Sequence, residues 1–242
     1  MVFPYKAVLF DWAYTLADLG GEDDRRPFQK MVEHLREMDV PLPEFEELFG
    51  AYRTLFYELI EQSRKTHQEA CFENVLKYLL LRYSIAIEGK TTVRDLLKLY
   101  YEEMYKDRQL YPDTVSTLQE LQGSGVRLGI VSNTTNPGFM KDYERELTGL
   151  DPYFEFALYS SELPYRKPHP SIYRLAIERL GIPEKDILFV GDNLKVDIAG
   201  AQAVGLPALW INREGAESGN PVTPDYEVHS LSEILTIGSI KV

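Results

Sequence analysis

The chain has 242 residues, 44% of them apolar and 26% charged, which is enough hydrophobic material for one large domain or for a core domain that carries an insert. Acidic residues outnumber basic ones 38 to 26, and the resulting formal net charge of -12 repels nucleic-acid backbones and anionic membranes, so neither is expected as a partner. A phosphorylated substrate is not excluded, because a bound metal and one lysine can reverse the potential locally.

The first element is the apolar run Lys6 to Phe10, which stops at Asp11 as a buried parallel strand would. Residues from about 20 to 108 carry no strand signal. They read instead as four amphipathic helices near 24–38, 44–67, 70–84 and 92–107, with Pro41 and Pro43 separating the first two. Phe49, Tyr52, Leu55, Phe56, Leu59 and Gln62 would form one wide apolar face. The aromatic side chains Tyr52, Phe56, Tyr57, Tyr100 and Tyr101 are expected to serve packing. Cys71, the one cysteine, falls in a helical stretch as a buried structural thiol, and the absence of a possible internal disulfide suits a reducing compartment. The apolar stretch from Val75 to Ile87 is interrupted by Lys77 and Arg82 and is too short to span a bilayer. The expectation is therefore a cytoplasmic protein with no membrane partner, as a monomer or homodimer.

After residue 109 strands and helices alternate. Helices are expected at 114–122, 136–147, 170–180 and 195–204, and strands at 126–131, 186–190 and 208–211. Gly181 and Gly205, each two residues before a proline, can take the left-handed position that closes a helix. Residues 213–225 are rich in Gly, Pro, Asn and Ser and read as a loop. The fold class that follows is α/β: a doubly wound, Rossmann-like parallel sheet formed by residues 1–18 and 109–242, with an α-helical insert at 19–108.

Ligands of such a sheet bind beyond the carboxyl ends of its strands, so the polar residues that follow each apolar run carry the information. Asp11, in Phe10-Asp11-Trp12-Ala13-Tyr14-Thr15, could attack phosphorus as a carboxylate nucleophile, or could simply be a turn residue. Ser132, in Val131-Ser132-Asn133-Thr134, could hold an anion or cap a helix. Lys167, stiffened by Pro168 and Pro170, could neutralise a phosphate, whereas His169 is read as a surface or packing residue. Asp192 and Asp197 are hard oxygen donors that suit Mg²⁺, or helix N-terminal acids favoured by the macrodipole.

The order of these four motifs resembles that of the haloacid dehalogenase-like superfamily. Gly191-Asp192-Asn193-Leu194-Lys195-Val196-Asp197-Ile198-Ala199-Gly200-Ala201 and the stretch around Lys167-Pro168-His169-Pro170 are the most specific parts, and the helical insert stands where that family carries its cap domain. The resemblance implies that Asp11 is a covalent nucleophile, that Ser132 binds the transferring phosphoryl group and that Lys167 orients the nucleophile and offsets charge. It assigns Trp12 and Asn133 to the substrate surface. It also implies a Mg²⁺ ion held by Asp11, the main-chain carbonyl of Ala13 and Asp192, with Asp197 in support, and a small phosphorylated molecule as substrate. One departure bears on mechanism. Family phosphatases place a second aspartate two residues after the nucleophile, where it protonates the leaving group. Here that residue is Ala13, and Tyr14 follows where glycine is usual.

Three readings follow from this departure: a phosphatase with altered proton transfer, a metal- or phosphate-binding regulator, and a phosphonatase-like carbon–phosphorus hydrolase. The last rests on Asp11-Trp12-Ala13, which resembles that subfamily's first motif. Its imine-forming lysine would fall near Arg53, which cannot form an imine, and Lys65 is the nearby amine.

Overall fold

The structure, a computed structural model, describes residues 3–21, 23–216 and 221–239. Its strands in chain order are β1 (Ala7–Phe10), β2 (Ala17–Asp18), β3 (Gln109–Leu110), β4 (Arg127–Ser132), β5 (Phe156–Tyr159), β6 (Ile187–Gly191), β7 (Ala208–Ile211) and β8 (Tyr226–Val228). Six of them form one sheet in the order β5-β4-β1-β6-β7-β8, with every neighbouring pair parallel. β1 is central and buried along its whole length, which is why it reads as an unbroken apolar run.

Helices cover both faces of the sheet. On one face Val8, Phe10, Ile130 and Val190 pack against Leu118 and Leu121 of α5 (Thr114–Gly123) and against Leu231 and Ile234. On the other, Leu9, Val131 and Phe189 meet Ile172, Tyr173 and Ala176 of α7 (Pro170–Leu180). Each such fully buried side chain contributes roughly 1.5–3 kcal/mol of hydrophobic stabilisation. Gly181 closes α7 in the left-handed conformation, as its sequence position predicts. The helix expected at 195–204 starts as one wide π turn (Leu194–Ile198) and continues as the short α8 (Ala199–Gln202).

Helices α1 (Arg25–Glu37), α2 (Phe45–Thr66), α3 (Phe72–Arg82) and α4 (Val93–Met104) fall where the sequence places them. They enclose an aromatic core of their own, in which Phe28 stacks on Tyr52 at 4.8 Å and Phe72 meets Tyr100 at 4.5 Å. Three expectations need correction here. Tyr57, expected to serve packing, is 47% exposed. Leu59 and Gln62 face solvent, so the apolar face of α2 is narrower than the sequence suggests. Cys71 is the half-buried residue that precedes α3 and not a buried helical thiol. A further feature was not expected: the chain leaves for the helical insert through β2 and returns through β3, and the two pair antiparallel with Ala17 opposite Leu110. Among the described residues no helix is long and apolar enough to cross a membrane.

The register of the sheet positions the site. Phe10 lies opposite Ile130 on one side and Val190 on the other. Asp11, Ser132 and Asp192 therefore leave three adjacent strands within a residue or two of the same level, at the carboxyl edge.

Candidate active site

Asp11 continues the line of β1, with its main-chain N–H donating to the Val190 carbonyl at 2.9 Å. Its Oδ1 accepts from Lys167 Nζ at 2.7 Å, and the same ammonium donates to Asp197 Oδ1 at 2.7 Å. Lys167 is only 1% exposed, so it is a buried bridge and not a solvated loop lysine. Its backbone is held by Asn133, whose Nδ2 donates to the Lys167 carbonyl at 2.9 Å and whose Oδ1 accepts from the Lys167 N–H at 2.7 Å. The side-chain amide of Asn133 is thus committed to placing Lys167.

Asp197 is positioned by the turn that follows β6. Asn193 caps that turn, its Oδ1 accepting from the N–H groups of Lys195 and Val196, and the Asn193 N–H donates to Asp197 Oδ2 at 3.1 Å. Gly191 has to be glycine, because a Cβ there would overlap the Asp197 side chain. Both Asp197 oxygens are already engaged, an arrangement suited to holding Lys167 from behind. Asp192 is fixed through its carbonyl, which accepts from Trp210 Nε1 at 2.7 Å.

The carboxylates of Asp11, Asp192 and Asp197 supply one oxygen each within 4.8 Å of one another. Their electrostatics follow from burial. Asp192 is lifted from 3.8 to about 8 by burial, and then by the negative charges of Asp11 and Asp197. Asp197 is raised by burial as well, against the pull of Lys167. Burial alone would lower Lys167, but Asp11 and Asp197 outweigh it, so the ammonium is held more firmly charged than usual. Three crowded carboxylates facing one lysine form a hard, all-oxygen donor set with excess negative charge, and this chemistry fits a divalent cation such as Mg²⁺.

Ala13 occupies the turn beside Asp11. Tyr14 follows it with φ of +57°, the left-handed region, and its N–H donates to the Ala17 carbonyl at 2.7 Å. The backbone there has the shape that glycine adopts most easily. Ser132 ends β4 and is buried. Trp12, Ala13, Ser132 and Asn133 line a cavity of about 210 Å³ together with Ile60, Arg64 and Glu69 of the helical insert. Neither Arg53 nor Lys65 lines it; Arg53 lies over the rings of Phe49 and Tyr57. His169 accepts from the Ser171 N–H and stacks on Tyr165 at 4.0 Å, a local structural role.

Sequence reasoning missed a buried cluster behind Trp12. The indole Nε1 donates to Glu144 Oε1 at 3.2 Å, Lys141 pairs with the other Glu144 oxygen while standing 4.8 Å from the Trp12 ring centre, and Arg108 Nε lies 2.6 Å from Glu144 Oε1. Lys141 and Glu144 sit three residues apart on α6 (Gly138–Leu147), a spacing visible in sequence. Their convergence with Arg108 and Trp12 is not visible there. Trp12 therefore spends its polar edge on Glu144 and offers the cavity an apolar surface.

The parallel sheet with an acid cluster beyond its carboxyl edge defines a doubly wound α/β core with a candidate metal site, and comparison with known proteins gives its family. Residues 5–205 match the family described as haloacid dehalogenase-like hydrolase. A glyceraldehyde 3-phosphate phosphatase of Methanopyrus kandleri is 30% identical over 240 residues, covering 96% of each chain. A (S)-2-haloacid dehalogenase of Burkholderia cepacia is 32% identical over 69% of this chain and 71% of its own. Among solved structures, a HAD phosphatase from Thermococcus onnurineus superimposes with a TM-score of 0.66 at 29% identity, over 96% of this chain and 97% of that one. The chain belongs to the haloacid dehalogenase-like hydrolases.

Proposed function

We propose that the protein is a Mg²⁺-dependent phosphatase that acts on a small phosphorylated metabolite through an aspartyl-phosphate on Asp11. One observation carries this reading: a fully buried lysine bridges Asp11 and Asp197 at 2.7 Å each, beside Asp192, while the chain neighbours Trp12, Ala13, Ser132 and Asn133 line a cavity. The full-length similarity to an enzyme named as a phosphatase supports the same reaction class.

In this mechanism the Asp11 oxygen not bonded to Lys167 attacks phosphorus, and the bond from phosphorus to the leaving oxygen breaks, its electron pair departing with the leaving group. Lys167 aims Asp11 through their 2.7 Å contact and offsets charge on the phosphoryl oxygens. The Ser132 hydroxyl donates to one of those oxygens, and Asn133 keeps Lys167 in place. Water then attacks phosphorus, the bond from phosphorus to the Asp11 oxygen breaks with its electron pair returning to the carboxylate, and the water's protons leave with the phosphate or to solvent. Asp11, the Ala13 carbonyl and Asp192 would hold Mg²⁺, with Asp197 behind them, and the ion would neutralise and orient the phosphoryl oxygens. The insert, residues 19–108, serves as a cap over the cavity, and the protein works in the cytoplasm.

Ala13 sets the limit of this chemistry. No side chain at that position can protonate the leaving oxygen, so the best substrates are esters whose leaving group needs little acid assistance. The same residue favours a second reading, in which the fold binds metal or phosphate without useful turnover. An aryl phosphate assayed with and without Mg²⁺, beside Asp11→Asn, separates the two. Mg²⁺-dependent release of phosphate that Asp11→Asn abolishes is the expected result. Equal rates for the two proteins would end the covalent mechanism, and tight metal binding without turnover would favour the regulator.

A further inference from the structure

The cavity between the sheet edge and the insert has a charge pattern that the cleavage chemistry does not use. Arg64, in the last turn of α2, lines it from the insert. Arg64 is exposed and makes no ion pair or hydrogen bond among the described residues. Glu69 is the only acidic residue among the described residues of the lining, and it is fully engaged. Its Oε1 accepts from Arg166 Nη1 at 3.0 Å, Ser63 Oγ at 3.1 Å and the Ala70 N–H at 3.0 Å, and its Oε2 accepts from Ser160 Oγ at 2.5 Å. Arg166 therefore cancels Glu69. Arg108 and Lys141, which also line the cavity, pair with Glu144, and Ala13 brings no charge. Among the described residues of the lining, the cation on Arg64 has no counter-charge.

The helix dipole favours a cation near the end of α2, and Lys65 shares that benefit, yet only Arg64 of the two lines the cavity. A guanidinium reads carboxylate and phosphate oxygens through paired N–H donors. With about 210 Å³ available, the site is smaller than the roughly 300–1,000 Å³ typical of drug-sized ligands, so its occupant is a small metabolite. We infer that Arg64 recognises a second anionic group, a carboxylate or a phosphate, carried on the leaving-group side of the phosphate ester. Arg64 is then the specificity-determining residue that the insert contributes. This inference rests on the phosphatase reading for its chemistry but not for its binding test.

The test measures binding by calorimetry with Mg²⁺ present and compares three non-hydrolysable probes: propylphosphonate, phosphonopropionate and propylene bisphosphonate. One of the two doubly anionic probes is expected to bind about tenfold or more tightly than propylphosphonate, and the better of the two identifies the second group as carboxylate or phosphate. In Arg64→Ala that preference falls to within about threefold, whereas Arg53→Ala, on the same helix but outside the cavity, keeps it. Equal affinity for all three probes, binding of none, or a preference that survives Arg64→Ala overturns the inference. Turnover of a neutral aryl phosphate is followed in parallel. A charge preference without turnover removes the phosphatase reading and leaves the subsite standing, and turnover without a preference does the reverse.

Discussion

Asp192 pairs a stability cost with a functional role, and the two can be separated by Asp192→Asn. In the folded protein its carboxyl is lifted from 3.8 to about 8 by burial and by Asp11 and Asp197. Between those two pH values the folded state keeps a proton that the unfolded chain releases, so the unfolded state binds fewer protons and stability falls as pH rises. The stability present below about pH 4 is lost progressively and is gone by about pH 8. At 1.36 kcal/mol for each pH unit, the full effect at pH 8 is on the order of 5 kcal/mol. Asparagine keeps the shape and cannot ionise. Without divalent metal, Asp192→Asn should raise the unfolding free energy by about 2–5 kcal/mol at pH 8 and leave it nearly unchanged at pH 4. Urea unfolding in EDTA across that range measures the difference directly. Adding Mg²⁺ should stabilise the wild-type protein, increasingly so at higher pH where ion and proton compete less, and should do little for the variant. A variant that is neutral or destabilised at pH 8 in EDTA would refute the assignment of a half-buried, crowded carboxylate. An equal gain from Mg²⁺ in both proteins would refute its role as a ligand.

Other outcomes follow from the same geometry. Ala13→Asp restores an acid on the leaving-group side and should raise turnover of an alkyl phosphate by about 10²-fold or more, with a smaller effect on an aryl phosphate; steady-state rates on both esters decide it, and no gain in a folded, metal-binding variant would show that proton transfer is not limiting. Glu144→Gln removes the carboxylate that Lys141, Arg108 and Trp12 share in the interior, and should lower stability by about 3 kcal/mol. An unchanged urea midpoint would mean that this cluster does not hold α6 against Trp12.

Much of the site was legible because its residues follow local signals. β1, β4 and β6 are runs buried on both sides, and such runs are apolar without interruption, so the residue at which each stops stands out. Asp11, Ser132 and Asp192 were found in this way, and Lys167 through the prolines around it. The four insert helices were equally readable from their periodicity. The edge strands β5 and β8 were not: each packs against a single neighbour and is only partly buried, so its sequence carries a weaker pattern.

The sequence alone therefore determined the helices, the central strands and which side chains could do chemistry, because hydrophobic periodicity and strand-end position are properties of short segments. Tertiary structure decided which groups meet. Residues 156 apart place Lys167 on Asp11, those 34 apart tie Asn133 to Lys167, and those 132 apart bring Trp12 to Glu144. An ion pair of that reach leaves no trace in local pattern, since either partner alone reads as an ordinary surface charge. Only the closed fold removes water from both partners and joins them, and only the insert folded against the sheet brings Arg64 to the same cavity as Ala13.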